Sequence, residues 1–326
     1  MYKPSPMTAT CLLLAASASA LAQTGPSIML LPWEEDTVAQ FQSEYLFTPT
    51  EADVTGADVD LSIYDARGRV RLNPDSSYNP TLGFSYTQFD ISTTDAALPD
   101  RLIDLQFVFG GSFGDLELGQ TLGGGWQAGY TVGLGYAGTA PFNDGDAWYG
   151  TANLFAVKPI DRDTRWLIGI SYEGNRTFLP DVPLPAVTYF GRLNDTVTYG
   201  IGLPFNDVTW TPTDRWTVEF RSLLFFDFTV KATYQMTDQL ALFGEFARRN
   251  EAFVVSGSPD NRRLLFQQER LEAGLTYEFN RNLTFTVAGG IAFSQEFDFG
   301  YDTRDPRGVR DLDDSGFIRV GLDLQF

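Results

Sequence analysis

Histidine is absent from all 326 residues, and cysteine occurs once, at Cys11. Without histidine, Ser-His-Asp and Cys-His nucleophilic centres cannot form in their usual arrangement, and histidine zinc sites are excluded. A lipid hydrolase relying on a histidine base is excluded for the same reason. One thiol cannot make an intrachain disulfide or a thiolate metal cluster. The expectation is therefore no enzyme and no cofactor. No stretch keeps a helical period, and no apolar run is long enough for a spanning helix. Positive charge is scarce as well: 23 Lys and Arg stand against 42 Asp and Glu, a net charge of −19. Such a chain repels polyanions, so no nucleic-acid partner is expected. Acidity can also accompany disorder, but 14% of the residues are aromatic and give the chain ample surface to bury.

The first residues have the marks of an export signal. Lys3 precedes the apolar run Cys11-Leu12-Leu13-Leu14-Ala15-Ala16, and Ala20-Leu21-Ala22 is followed by Gln23. A charged start, a short apolar centre and an A-x-A-like site predict a signal peptide over 1–22, cut after Ala22. Thr8-Ala9-Thr10 leave no apolar core ahead of Cys11, so Cys11 does not read as a lipid-attachment site. Its removal would leave the mature chain without a thiol. Residues 23–37, with Gly25, Pro26, Pro32 and Glu34-Glu35-Asp36, read as a short lead-in.

From residue 38 onward the period is two. Leu271, Ala273, Leu275, Tyr277 and Phe279 alternate with Arg270, Glu272, Gly274, Thr276 and Glu278. Leu283, Phe285, Val287, Gly289 and Ile291 alternate with Thr284, Thr286, Ala288, Gly290 and Ala292. Similar sets start at Trp126, Ile103, Trp166 and Phe226. Alternation places each set on one face of a strand. A soluble sandwich alternates too. However, many of these strands run to about ten residues, which suits a tilted spanning strand, and aromatics sit at the ends of the apolar sets, as membrane-interface girdles require. Mean hydropathy is only −0.14, as expected when one face of each strand is apolar and the other wet.

The last eleven residues, Gly316 to Phe326, set Ile318, Val320, Leu322, Leu324 and Phe326 against Phe317, Arg319, Gly321, Asp323 and Gln325. A terminal strand of this kind, ending on an aromatic residue, resembles those of bacterial outer-membrane β-barrels. The resemblance implies an all-β, antiparallel up-and-down transmembrane barrel over 38–326, a bacterial outer-membrane location and contact with the lipid bilayer. It also implies that the barrel-insertion machinery reads the C-terminal strand. The run GLPFNDVTWTPTDRW from Gly202 to Trp216, with Pro183-Leu184-Pro185-Ala186-Val187-Thr188-Tyr189, is similar to segments of an uncharacterised outer-membrane barrel family known only as a domain of unknown function. That family supplies no site residues.

Counting strands back from Phe326 against alternating long and short connections gives fourteen, or twelve if the soft hairpin around 195–221 is lost. On this register Glu219, Arg221, Lys231, Glu245, Arg270, Glu272, Arg319 and Asp323 point into the lumen. There they could set ion selectivity, or pair with one another and fill the pore. Asp311-Leu312-Asp313-Asp314-Ser315-Gly316 matches the first half of an EF-hand loop, but its twelfth position is Leu322, where a bidentate glutamate is needed. Asp311, Asp313 and Asp314 remain weak candidates for loose divalent-ion contact in an acidic loop. The expected function is passive passage of small solutes, with a non-conducting structural or adhesive barrel and a hydrophobic-substrate transporter as alternatives. In the last case Ile28-Met29-Leu30-Leu31 would serve as a plug.

Overall fold

The computed structural model describes residues 37–52, 58–74, 78–95, 98–116, 125–223, 226–257, 262–308 and 310–326. The segments expected to be a signal peptide (1–22), a lead-in (23–37, up to residue 36) and a plug (28–31) lie outside the described residues. The strands are β1 (Ala39–Ala52), β2 (Asp58–Arg71), β3 (Tyr78–Thr93), β4 (Arg101–Leu116), β5 (Trp126–Gly138) and β6 (Trp148–Pro159). They continue as β7 (Arg165–Glu173), β8 (Leu184–Asn194), β9 (Val197–Leu203), β10 (Phe205–Thr213), β11 (Trp216–Leu223) and β12 (Asp227–Gln235). The series ends with β13 (Leu240–Val254), β14 (Arg263–Asn280), β15 (Leu283–Gly300), β16 (Arg310–Leu312) and β17 (Ser315–Gln325).

Each strand from β1 to β15 pairs antiparallel with the next, β15 also pairs with β17, and β17 pairs with β1 from Gln40↔Gln325 to Phe47↔Ile318, which closes the sheet on itself. β16 is a three-residue piece on the β15 edge, above β17. The wall therefore has sixteen strands, two more than the sequence count. Both extra strands come from one region. The stretch expected to be a long excursion, 175–195, contains β8, and the single strand expected over 195–210 is folded in two at Pro204, giving β9 and β10. Proline has no N–H to give a ladder, so it marks the fold point.

The barrel is inside-out relative to a soluble protein. Outward Leu271, Ile291, Ile318 and Phe107 are 55–63% exposed, whereas inward Glu272, Arg319, Arg270 and Glu245 are 3–5% exposed. Exposed to water, each large apolar side chain would forfeit roughly 1.5–3 kcal/mol of transfer free energy. Acyl chains remove that cost, and a closed barrel leaves no backbone polar group facing lipid. Aromatic pairs gather at the ends of β7, β11 and β14 on the side of the chain termini: Trp166–Tyr189, Trp216–Tyr234 and Tyr277–Phe279 have ring centroids 4.8–5.0 Å apart. Placing a charge on this wall tests the assignment. Leu271→Arg is expected to cost about 2–4 kcal/mol of folding free energy into liposomes. The measurement is denaturant unfolding followed by heat-modifiable gel mobility, with no change if Leu271 faced water.

Strand length is uneven, and this shapes the lumen. A tilted spanning strand needs about 9–11 residues. β9 to β12 have only 7, 9, 8 and 9, whereas β13, β14 and β15 have 15, 18 and 18. β12 is too short to flank the outer third of β13. A register shift between Gln267 and Glu269, opposite Ser294 at φ 48°, marks a bulge there, and bulges bend strands. The outer ends of β13 and β14 turn inward. Arg249 through Phe253 and Arg263 through Phe266 are buried at every position, on both faces. Val254 then pairs in parallel with Gly138 of β5, on the opposite wall.

Candidate functional site

The register defines the lumen. One inward row runs Asp207, Arg221, Thr229, Ala247, Arg270 and Ala292, and its neighbour runs Thr209, Glu219, Lys231, Glu245, Glu272 and Gly290. Across the closing seam the inward set is Asp323, Gln42 and Arg67, with Gly321, Glu44 and Asp65 one step further out. All eight residues expected to point inward share this face.

The charges are paired. Arg319 donates through Nε to Glu272 Oε2 at 3.1 Å, its Nη2 bonds Glu272 Oε1, and its Nη1 lies 3.1 Å from Glu44 Oε1. Glu245 stands between Lys231 Nζ at 3.7 Å and Arg270 Nη2 at 3.8 Å. Arg221 Nη2 donates to Glu219 Oε1 at 2.8 Å. Asp323 accepts from Gln42, whose Oε1 accepts from Arg67 Nε at 2.6 Å. Alternation along the strands set the face of these charges but not their partners, and it offered no sign of Arg249. That guanidinium, on the inward-turned part of β13, grips Asp65 with two bonds of 2.7 and 2.9 Å and reaches Glu251 Oε1 at 2.9 Å. Ion pairing of this density satisfies charges that would otherwise be stranded in a low-dielectric interior.

Above the charged belt the interior becomes apolar. Leu61, Ile63, Phe89, Leu102, Phe253, Leu264, Phe266, Phe297 and Phe317 form one buried cluster. Phe89 meets Phe253 and Phe266 edge-on at 5.3 and 4.9 Å. A sixteen-strand barrel is wide enough to leave a channel if side chains alone fill it. Here the turned-in ends of β13 and β14 supply the extra bulk. This packing closes the side bounded by β1–β4 and β13–β17.

The opposite side is less filled. Inward Arg165, Leu167, Ser171 and Glu173 of β7, Thr198 of β9, Asp207 and Thr209 of β10 and Thr217 of β11 all keep partial exposure. The wall is also low there, since β9 joins β10 through Pro204 alone and β11 joins β12 across 224–226.

A polar clasp bridges the mouth. Arg263 donates to Asn175 Oδ1 at 3.0 Å, to the Arg176 carbonyl at 2.9 Å and to the Tyr301 carbonyl at 2.8 and 3.1 Å. Asn175 in turn donates to Asp104 Oδ2 at 3.1 Å and to the Ala252 carbonyl at 2.9 Å. The β7–β8 loop and the β15–β16 loop are thereby tied to the crossing strand. Asp302 strengthens the tie by accepting from the Leu179 amide at 3.3 Å and from Arg304. Burial raises the Asp302 carboxyl, but the Arg304 guanidinium and the backbone donors outweigh that and hold it below the ordinary carboxylate range.

The acidic loop candidates do not converge. Asp313 and Asp314 are exposed, Asp311 lies on β16 opposite Glu296, and Asp305 is 2.7 Å from Arg307. Among the described residues no group of three His, Cys, Asp or Glu side chains could hold a metal ion.

Residues 190–305 match a domain of unknown function, DUF6268. No curated protein matches the chain. Among solved structures, the chain is similar to an outer-membrane channel from Pseudomonas putida F1, with 11% identity, 93% of this chain and 100% of that one covered, and a TM-score of 0.39. It is similar to the P. putida toluene transporter TodX, with 10% identity, 90% and 91% covered and a TM-score of 0.38. It is also similar to the Acinetobacter baumannii outer membrane protein Omp33, with 10% identity, 90% and 100% covered and a TM-score of 0.33. The closed antiparallel wall, its apolar outer face and its ion-paired interior make this chain a β-barrel of the bacterial outer membrane, and the residues that match the domain of unknown function, 190–305, form part of its wall.

Proposed function

We propose that the protein is a narrow passive channel for small polar solutes, closed at its outer mouth in the conformation described. The observation that carries this reading is the asymmetry of the lumen. One side is packed solid, whereas most inward groups of β7 and β9–β11, Glu219 excepted, stay partly exposed beneath a low wall. Thr, Ser, Asp and Arg side chains line that side and suit hydrated solutes.

Glu219, Arg221, Lys231, Glu245, Arg270, Glu272, Arg319 and Asp323 are the proposed selectivity set. Four are acidic and four basic, so removing one charge unbalances the field in a known direction. In planar bilayers under a potassium chloride gradient, Lys231→Gln is expected to move the reversal potential toward cation selectivity, and Glu219→Gln toward anion selectivity. Identical reversal potentials for both variants and the parent would remove these residues from the path.

The packed apolar cluster favours a second reading, a barrel that does not conduct. Purified protein that inserts and shows heat-modifiable mobility, but passes neither ions nor small sugars even after the clasp is cut, would establish that reading in place of the channel.

A further inference from the structure

Beneath the crossing strand, four carboxylates from four different strands face one another: Asp104 of β4, Glu173 of β7, Asp227 of β12 and Glu251 of β13. Glu173 is within electrostatic range of Asp104 and Asp227, and Glu251 within range of Asp104, Asp227 and Asp65. Arg249 serves Asp65 and Glu251. The remaining acids are held only by neutral donors. Asp104 accepts from the Tyr149 hydroxyl at 2.6 Å and from Asn175, and Asp227 accepts from Asn250 Nδ2 at 2.7 Å. Arg176 lies near Glu173, but its guanidinium donates to the Val182 carbonyl at 3.2 Å and to Ser171. Arg263 is taken up by the clasp. Asp65 and Glu251 thus touch a guanidinium, whereas Asp104, Glu173 and Asp227 touch none; Arg176 and Arg263 act on Glu173, and Arg248 on Asp227, only from a distance.

A separate observation points to a ligand. Three buried polar groups around these acids lack partners. Asn250 is 3% exposed; its amide nitrogen holds Asp227 while its Oδ1 bonds nothing. Thr151, 4% exposed, sits directly opposite Glu173 in the β6–β7 register, and its hydroxyl is unpartnered. Gln106, fully buried one inward position from Asp104, has both amide atoms unpartnered. Unpaired groups of this kind are costly, and native proteins rarely retain them without a use. They offer acceptors beyond the carboxylates themselves. Glu173 and Ser171 keep partial exposure, so the cluster can be reached from the less filled side of the lumen.

We infer that Asp104, Glu173, Asp227 and Glu251, with Asn250, Thr151 and Gln106, form a lumenal site for a small organic cation bearing ammonium groups. Asp104 and Asp227 are held by neutral donors alone and Glu173 by no side-chain donor, so an ammonium group at each end of a ligand meets a carboxylate that no guanidinium contacts. The acids are spread over several strands rather than focused on one point, which matches a short aliphatic diamine better than a metal ion. The inference rests on the channel reading for how such a solute arrives, but not for its binding.

The test is calorimetric titration of the full folded chain in detergent with 1,4-diaminobutane, using the equally long neutral 1,4-butanediol as the control. The diamine is expected to bind and the diol not. Glu173→Gln and Asp227→Asn are each expected to weaken binding at least about tenfold, since each strands a cationic end of the ligand. Glu173 is partly exposed and makes no side-chain hydrogen bond or close ion pair, so E173Q leaves the barrel folded by the gel-shift criterion even if D227N does not. Diamine heats no different from those of the diol, or unchanged affinity in E173Q, would overturn the site. Binding without conductance sinks the channel reading alone, and conductance without binding sinks this site alone.

Discussion

Arg319→Ala is expected to destabilise the barrel by about 3–5 kcal/mol, the usual cost of stranding a buried charge. Arg319 is 4% exposed and serves two carboxylates at once, Glu272 on β14 and Glu44 on β1. It also projects from β17, the strand that closes the seam with β1. Alanine would leave Glu272, itself 3% exposed, with no cation in contact. Urea unfolding in detergent, followed by the heat-shifted gel band and by tryptophan fluorescence, measures the loss. Adding Glu272→Gln to Arg319→Ala should recover much of it, because a neutral amide costs far less to bury than an unpaired carboxylate. A single variant as stable as the parent would show that water reaches these groups freely, and the ion-paired interior described above would be wrong.

Arg263→Ala should act on the mouth rather than on the wall. Its guanidinium makes four hydrogen bonds that join the β7–β8 loop, the β15–β16 loop and the inward end of β14. Hydrogen bonds from a charged donor are worth about 1.5–3 kcal/mol each. Losing even one net equivalent shifts an open–closed equilibrium by about tenfold or more, at 1.4 kcal/mol per decade. Single-channel recording should show open probability rising by that factor, and cells carrying the variant should admit small antibiotics faster. Arg263→Lys retains charge but not the fork of donors and should fall between the two. The backbone ladder beside Arg263 does not depend on its side chain, so the barrel should keep its gel shift. Unaltered permeation would mean that the clasp is not the barrier.

The outward face was legible from alternation alone. Leu271, Leu275, Phe285, Val287, Ile318 and Val320 needed no structure to be assigned to lipid, because a strand has only two faces and one of each pair was polar. The eight inward charges followed by the same rule. The count of strands failed between Asn175 and Trp210. Asp195-Thr196 is a weaker turn signal than the runs used elsewhere, and Pro204 sits at a fold point so short that no loop composition announces it. Pairings were out of reach as well. Glu245 could have met any basic residue at its level, and only the register of β12, β13 and β14 selects Lys231 and Arg270.

The crossing of the mouth illustrates the remaining gap. In the sequence, Arg249 through Phe253 continue β13 with no change of composition, and Leu264-Leu265-Phe266 read as an apolar run of ambiguous direction. The inward turn arises because β12 stops short and a bulge lies opposite Ser294, and both are relations between strands. Local chemistry along the chain determined which atoms seek lipid and which seek an enclosed interior, since that preference belongs to each side chain and its period. Which strands are neighbours, where one outruns the next, and which charges and orphaned amides then meet across the lumen depend on distances between residues far apart in the chain. Only closure of the barrel fixes those distances.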